Sequence, residues 1–524
     1  MSFYGYLTFK FIIKHINKKG GFVHKTACYV IFYVFYWRFF KNITTFGAIK
    51  CIKRHRLIMI NRITLCISLA LLVCGYINAS DICISEIRIS GNKKTKDFTI
   101  LRELPFRAGD IMPEDKLIIQ LQVATEHLNN TSLFNYVVID YMPDTLDRED
   151  CLSCIVTIDV EERWYYWPQV SLKLEDRNLS NWLHEKNFNR ITIGWGMRVY
   201  NVFGMRHKIT LSHYFGFEKG FRIGYSNIAL DKARTQMLGF SATALFNKTL
   251  NAYSENNKVI YIKNPDIFLD KTFGGSINYS YRPGIRTVHY FDIGYERTHL
   301  GDSILIANKN YWGTNNLVNN TFQLSYNYSY EHRDYIAYPT KGYYISSGLT
   351  GKTADNMNFF YGELNLKIQY YKDITSRWYW SSRLNSGATL KNKHAYIYDR
   401  HVGYDDKIIT GYDYYVIDGQ NYAILNNDLR FLIMPKKIFN IVPKKKAPKF
   451  TKIHFSLYAR LCYDIGYVHN SYNLESNTLA NTFLWGSGIG LDLVTYYDII
   501  LNCSYAFNKM GEGAFYFGIK APIF

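Results

Sequence analysis

The sequence predicts a mainly β protein: one closed antiparallel sheet of about 16 strands crossing a membrane, preceded by a single small β-α-α-β-β domain. Three observations carry this. Aromatic residues make up 17% of the chain, with 46 tyrosines against only 11 prolines, a composition suited to strands and membrane-interface girdles. Stretches of roughly nine to twelve residues alternate between apolar and polar side chains, the length a tilted strand needs to cross a bilayer. After Val73 no segment is continuously apolar for the roughly 18 residues of a spanning helix, which excludes a helical membrane protein.

At the N-terminus the net charge of +19 has a local origin. Twelve of the 62 Lys and Arg precede Asp81 and no acid does, so the remaining chain carries 50 basic against 43 acidic groups. That mild excess argues against nucleic acid as a partner. Met59-Ile-Asn-Arg62, the apolar Ile63–Val73 and the small-residue end Ile77-Asn-Ala79 read as a signal peptide over 59–79. Residues 1–58 then read as an upstream extension. The alternative, an N-terminal anchor at Cys28–Phe40, is only 13 residues long and interrupted by Arg38. A lipoprotein reading of Leu71-Leu-Val-Cys74 is weak, because Val rather than a small residue precedes the cysteine.

Residues 80–163 form the small domain. Ile84–Ile89 alternates as a strand and Asp97–Leu104 is a short helical stretch. Pro113-Glu-Asp opens a helix, with proline suited to the first position and acids to the first turn. Leu117, Leu121, Ala124 and Leu128 share one face of it, and strands at Tyr136–Tyr141 and Ile155–Val160 complete the unit. Cys151-Leu-Ser-Cys154 has no second metal-ligand pair near it, so a local disulfide or free thiols fit an exported domain better than zinc.

Residues 164–524 form the barrel. In Phe322–Tyr330 the even positions are apolar or aromatic and the odd ones Gln, Ser, Asn and Ser; Glu363–Tyr370 and His454–Ile465 repeat the period. A soluble sandwich also has one apolar face, but its polar face is rich in Lys and Glu and its strands run about five or six residues. At about 22 residues per strand and connection, 361 residues give approximately 16 strands. Polar, Asn-rich connections such as 147–154 and 300–320 read as surface loops. Lys436–Lys452, with seven lysines, no acid and three nearby prolines, reads as a periplasmic turn able to touch anionic headgroups.

Ile87-Arg-Ile-Ser-Gly-Asn-Lys-Lys-Thr95, Leu101-Arg-Glu-Leu104, Gly109-Asp110 and Ala124-Thr-Glu-His-Leu-Asn-Asn-Thr-Ser-Leu-Phe134 together resemble a POTRA domain of the BamA/TamA outer-membrane assembly superfamily. Farther on, Arg333-Asp334 with Tyr338-Pro-Thr-Lys-Gly342, Asp428-Leu-Arg-Phe431 and Tyr463-Asp464-Ile-Gly466 are similar to barrel signatures of that family, in the same order. The resemblance implies that a long loop folds into the lumen, where a tip arginine meets two wall carboxylates. The matching tip here is Ile409-Thr410-Gly411-Tyr412, in which Thr410 stands for the arginine while Asp428 and Asp464 match the wall carboxylates. Two confined carboxylates without a cation repel, so Arg430 and Arg460, at i+2 and i−4 on the same strand faces, are expected to compensate them. The tip is then expected to be held by the Thr410 hydroxyl and Tyr412 stacking. At the chain end Phe515, Phe517, Ile519, Ala521 and Ile523 alternate, whereas Phe524 is out of phase and Pro522 interrupts the ladder. A weakly zipped seam between first and last strands is expected, and in the resembled family that seam is the gate for client strands.

The resemblance implies insertion or translocation of unfolded outer-membrane polypeptides, with outer-membrane lipids and periplasmic chaperones or lipoproteins as further partners and no cofactor. A single POTRA-like domain, where central members carry several, implies an accessory or specialised role. The alternative is a passive channel, receptor or surface antigen. No Ser/His/Asp or paired-carboxylate constellation in a catalytic context supports an enzyme.

Overall fold

The computed structural model describes residues 81–520 except 145–150, 175–190, 217, 265, 355–357, 405–406 and 441–451. The expected signal peptide and extension, Pro522 and Phe524 lie outside the described residues.

The first domain begins with β1 (Asp81–Ser90), α1 (Asp97–Leu101), β2 (Ile111–Pro113) and α2 (Glu114–Asn130), and ends with β3 (Phe134–Pro143) and β4 (Leu152–Glu162). Its sheet has the order β2-β1-β4-β3, with β1 and β4 parallel. Leu117, Leu121, Ala124 and Leu128 of α2 are buried, packing with Ile84, Val156 and Ile158 into one core, as the spacing predicts. Three details differ from expectation. Pro113 is the cap before the helix rather than its first residue, with an extended ψ of 146°, because it also ends β2 opposite Asp81. The strand β2 itself has three residues, too few to show a period. Cys154 lies not in a loop but buried in β4.

The second sheet has 16 strands and runs from β22 at one end to β5 at the other. Its strands are β5 (Tyr166–Leu174), β6 (Ile191–Val202), β7 (His207–Gly216), β8 (Glu218–Ala229) and β9 (Gln236–Asn247), then β12 (Asp270–Tyr281) to β22 (Gly513–Lys520). Between β9 and β12 a hairpin, β10 (Thr249–Glu255) and β11 (Lys258–Lys263), leaves the sheet, and β9 pairs directly with β12. Later strands are β13 (Thr287–Leu300), β14 (Val318–Arg333), β15 (Gly342–Ala354), β16 (Phe359–Asp373), β17 (Trp378–Lys391), β18 (Asn421–Asn440), β19 (Lys452–His469), β20 (Phe483–Thr495) and β21 (Ile500–Asn508). All neighbours in this sheet are antiparallel, and the count equals the one expected.

The alternation sorts faces as predicted. Phe322, Leu324, Leu364, Leu461 and Tyr463 stand exposed on one face, whereas Ser325, Gln369, Cys462 and Asp464 are buried on the other. An apolar outer face is unfavourable in water and favourable against lipid tails. Among the described residues no helix is long and apolar enough to cross a membrane. The sheet curls on itself: Trp167 on β5 meets Tyr497, in the turn between β20 and β21, edge-on at 5.0 Å. Among the described residues no ladder joins β5 to β22, which are the two ends of the sheet.

Two connections depart from the sequence reading. The segment from Lys436 is not a turn at its start: β18 continues to Asn440 and β19 resumes at Lys452. Register shifts between Leu432 and Met434 and between Met434 and Lys437 take Pro435 out of the ladder, so the strand survives it. Loop 301–317 contains a short helix, α3 (Asp302–Ala307).

Candidate functional site

The connection from β17 to β18, residues 392–420, turns inward, and its tip rests on the inner wall of β18–β21. Thr410 reaches Asp464 twice, its backbone N–H donating at 2.9 Å and its hydroxyl at 2.6 Å to the same oxygen. Asn426, directly opposite Asp464 on β18, donates to that oxygen at 2.7 Å. Glycines make the floor. A Cβ on Gly486 would stand 1.7 Å from the Thr410 carbonyl oxygen, and one on Gly466 would stand 2.4 Å from the Ile409 side chain. Gly411 has φ +85°, so the tip needs glycine for its own turn as well. Tyr412 is buried, but among the described residues its one aromatic contact is with Tyr415, edge-on at 6.4 Å. The expected stacking is replaced by hydrogen bonds, the phenol donating to the Trp485 carbonyl at 3.2 Å and accepting from the Lys509 N–H at 3.3 Å.

Sequence reasoning missed that the tip also holds the closing strand. The Gly411 carbonyl accepts from Asn508 on β21 at 3.0 Å and from the Tyr516 phenol on β22 at 3.3 Å. Tyr415 donates to Glu512, in the turn between those strands, at 2.7 Å. Phe515, Phe517 and Ile519 point the other way and are exposed on the apolar face. Replacing Thr410 by Val, which keeps the backbone bond and shape, is expected to cost about 1.5–3 kcal/mol of tip docking, the worth of a hydrogen bond to a charged group. Faster limited proteolysis within 392–420 is the readout.

Of the two wall arginines, Arg430 meets Asp428 as expected, whereas Arg460 has other partners than the expected one. Arg460 does not meet Asp464, because four residues along a strand span about 13 Å. It lies opposite Arg430 and reaches across the sheet, 3.5 Å from Asp428 and 3.5 Å from Asp492 on β20. Arg430 is 3.3 Å from Asp428, and Arg383 on β17, which the sequence reading overlooked, donates to Asp428 at 2.9 Å. Three guanidinium groups thus share one carboxylate that is 2% exposed. Arg430 also donates to the Pro339 carbonyl at 3.0 Å, and Tyr338 donates to Asp492 at 2.8 Å. The turn between β14 and β15 is therefore drawn into the lumen. Asp334 shapes that turn by accepting from the N–H groups of Thr340 at 3.0 Å and Lys341 at 3.1 Å.

Residues 82–163 match the family model described as POTRA, surface antigen variable number repeat. This segment is a POTRA domain. No curated protein matches the sequence. Among solved structures, the chain is similar to BamA from Haemophilus ducreyi lacking POTRA domains 1–3, at 15% identity, covering 84% of this chain and 85% of that one with a TM-score of 0.47. It is also similar to CdiB from Escherichia coli at 13% identity, covering 83% and 76%, TM-score 0.47. CdiB from Acinetobacter baumannii is similar at 14% identity, covering 83% and 73%, TM-score 0.46. The sixteen-stranded sheet is evident from the chain's own ladders and does not depend on these likenesses.

The POTRA domain is fastened to the turns at one end of the barrel. Lys96 N–H and the Thr99 hydroxyl both donate to the Gly204 carbonyl at 3.0 Å, and a Cβ on Gly204 would stand 2.0 Å from the Lys94 oxygen. Arg102 donates to the Ala233 carbonyl at 2.9 Å. Glu103, 4% exposed, receives both terminal nitrogens of Arg282 at 2.6 and 2.8 Å, and Arg206 at 3.3 Å. Burial alone would raise the Glu103 carboxyl, but the Arg282 fork with Arg206 and Arg102 outweighs it and holds the pKa at about 2. Asn130 at the end of α2 donates to the Asp334 carbonyl at 3.2 Å and accepts from Ile336 N–H at 3.0 Å. Arg163, leading into β5, pairs with Asp498 at 2.7 Å. Five turns are engaged: β6–β7, β8–β9, β12–β13, β14–β15 and β20–β21. No sequence signal marks Glu103, Arg282 or Asp498 as partners, since they are far apart in the chain and each belongs to an unremarkable polar turn or helix end.

Proposed function

We propose that this chain sits in an outer membrane, its POTRA domain in the periplasm, and helps to insert or translocate other outer-membrane polypeptides. In this reading 59–79 is the signal peptide, 80–163 the POTRA unit and 164–524 the membrane barrel. The observation that carries it is the inward loop, whose tip braces β22 from inside at the end of a sheet that has no ladder to β5 among the described residues. β22 is laddered to β21 on one side only, and an outer edge held by side chains rather than by a second strand can be released at small cost and offered to an incoming chain. The POTRA sheet supplies a second edge at β3, which carries the exposed Val138 and Met142. With the domain fastened under five turns, insertion at the seam is favoured over passage through the lumen. Client folding supplies the energy, so no cofactor is needed.

Depletion of the protein in its native host, followed by quantitative outer-membrane proteomics, tests the reading. Other β-barrel or surface proteins are expected to fall, with unfolded forms accumulating in the periplasm. An unchanged proteome removes the assembly role and favours a passive receptor or surface antigen, for which the loop-built cap at the opposite end would be the working surface.

A further inference from the structure

The rim of the barrel where β5–β9 meet the POTRA domain carries large apolar side chains that belong to no core. Phe203, in the β6–β7 turn, is 70% exposed. Its φ is +58°, a left-handed conformation that bulky side chains rarely adopt and that glycine takes without strain. Contact with water and backbone preference both oppose a phenylalanine here, which points to an apolar partner outside the chain. Its neighbours show where that partner lies. Phe203 meets His207 edge-on at 6.4 Å, and His207 belongs to the face of β7 that exposes Leu211 and Phe215. Leu230, exposed in the β8–β9 turn, follows Ile228, which stands opposite Leu238 on the face of the exposed Phe240. Trp164 and Tyr166 begin the outward face of β5 that Val170 continues. The rim residues therefore extend the apolar outer face of the barrel.

The POTRA domain adds to the same rim. Helix α1 exposes Phe98 and Leu101, and the guanidinium of Arg234 in the β8–β9 turn lies over the Phe98 ring at 5.6 Å. Just before α1, the Lys94 ammonium stands 4.4 Å from the centre of the outward Tyr166 ring and 3.3 Å from its phenol oxygen. Lys93, Lys96 and Lys232 are exposed on the adjoining segments, and among the described residues none of the three side chains is paired with a carboxylate. The acids beside them are occupied: Asp97 accepts from the Asn92 amide at 2.6 Å, and Asp231 accepts from the N–H groups of Thr235 at 3.1 Å and Gln236 at 2.8 Å. Apolar side chains at the edge of a lipid-facing surface, bordered by lysines, complement a phospholipid layer with anionic headgroups. A docked protein would have to displace lipid from the adjoining outer face, which the membrane itself does not.

We propose that the β5–β9 rim and POTRA residues 93–101 form one grip on anionic phospholipid in the leaflet facing the domain, with Phe98, Phe203 and Leu230 entering the acyl boundary and the lysines at phosphate level. This rests on the placement of the barrel in an outer membrane. The full chain is reconstituted in phosphatidylcholine nanodiscs holding about one quarter phosphatidylglycerol, an anionic lipid. The photo-crosslinking residue p-benzoylphenylalanine replaces Phe203 or, as a reference on the outer face of β6, Trp195, and intact mass reads the lipid adducts. Adducts are expected at both positions, with phosphatidylglycerol about threefold above its share at 203 and at its share at 195. Salt at about 0.5 M should bring position 203 back to that share, as should Lys93→Glu, Lys96→Glu and Lys232→Glu together, with heat-modifiable migration unchanged. An adduct at 195 with none at 203 overturns the inference and leaves the membrane placement intact. So do adducts at 203 in plain proportion to lipid composition, or an enrichment that survives both the salt and the substitutions. Irradiation in cell envelopes that joins position 203 to a polypeptide instead of lipid also overturns it. No adduct at either position removes the membrane placement and the grip together.

Discussion

Glu103→Ala is expected to detach the POTRA domain from the barrel turns while leaving each part folded. Among the described residues the Glu103 carboxylate is the one acid paired with Arg282 and Arg206, and its removal strands their charges in a largely buried joint. Breaking one partner of a buried ion pair costs about 3–5 kcal/mol, more than any one remaining hydrogen bond of the joint supplies, and leaves the Arg163–Asp498 pair as its main ionic contact. Trypsin cleavage after Arg163 or within 91–96 should accelerate strongly, with heat-modifiable migration of the barrel unchanged. The wild-type joint has its own acid limit. Because the folded pKa of Glu103 is about 2, below the ordinary value of 4.5, its stabilisation is fully present above about pH 4.5 and is lost as pH falls toward 2. An acid titration read with pepsin, since trypsin's own histidine is protonated in this window, therefore mimics the substitution, whereas the Glu103→Ala protein should show a smaller change across it. Equal protection in both proteins at neutral pH would mean that the remaining contacts suffice.

Asp428→Asn is expected to be the most damaging single change inside the barrel. Asparagine keeps the shape but removes the charge that Arg383, Arg430 and Arg460 converge on. Arg430 and Arg460 are directly opposite on adjacent strands, a like-charge arrangement that destabilises a sheet unless a carboxylate stands between them. A loss of about 3–5 kcal/mol is expected, read as a lower unfolding temperature in detergent and as loss of the compact electrophoretic form. Adding Arg383→Met to Asp428→Asn should restore part of it, because one stranded cation is gone. If Asp428→Asn leaves the unfolding temperature unchanged, the cluster is solvated and its charges are screened one by one.

The large architecture was legible in the sequence because its signals are local. Alternation at Phe322–Tyr330 and His454–Ile465 needs only neighbouring residues to be read, and the helix face of Leu117, Leu121, Ala124 and Leu128 likewise. Chain length over strand length then led to approximately 16 strands, with fourteen or eighteen still open, and the sheet has 16. The site was legible only in part. Thr410, Asp428, Arg430, Arg460 and Asp464 were found as residues, but their partners were assigned along single strands, and cross-strand register carried Arg460 away from Asp464 to Asp428 and Asp492. Arg383 arrives from a neighbouring strand whose register no motif announces. The glycine floor under the loop tip was invisible for a different reason: a missing side chain acquires meaning only from what lies against it, and Gly486 is separated from Thr410 by 76 positions of chain.

The fastening of the POTRA domain under one end of the barrel, with the inward loop lodged near the other, has an electrical consequence. A wide pore of sixteen strands, if open, would short-circuit any gradient held across its membrane and admit small toxic solutes. Stoppered from both sides by its own segments, this barrel should carry little ionic current in a planar bilayer, and a cell could hold many copies without leaking.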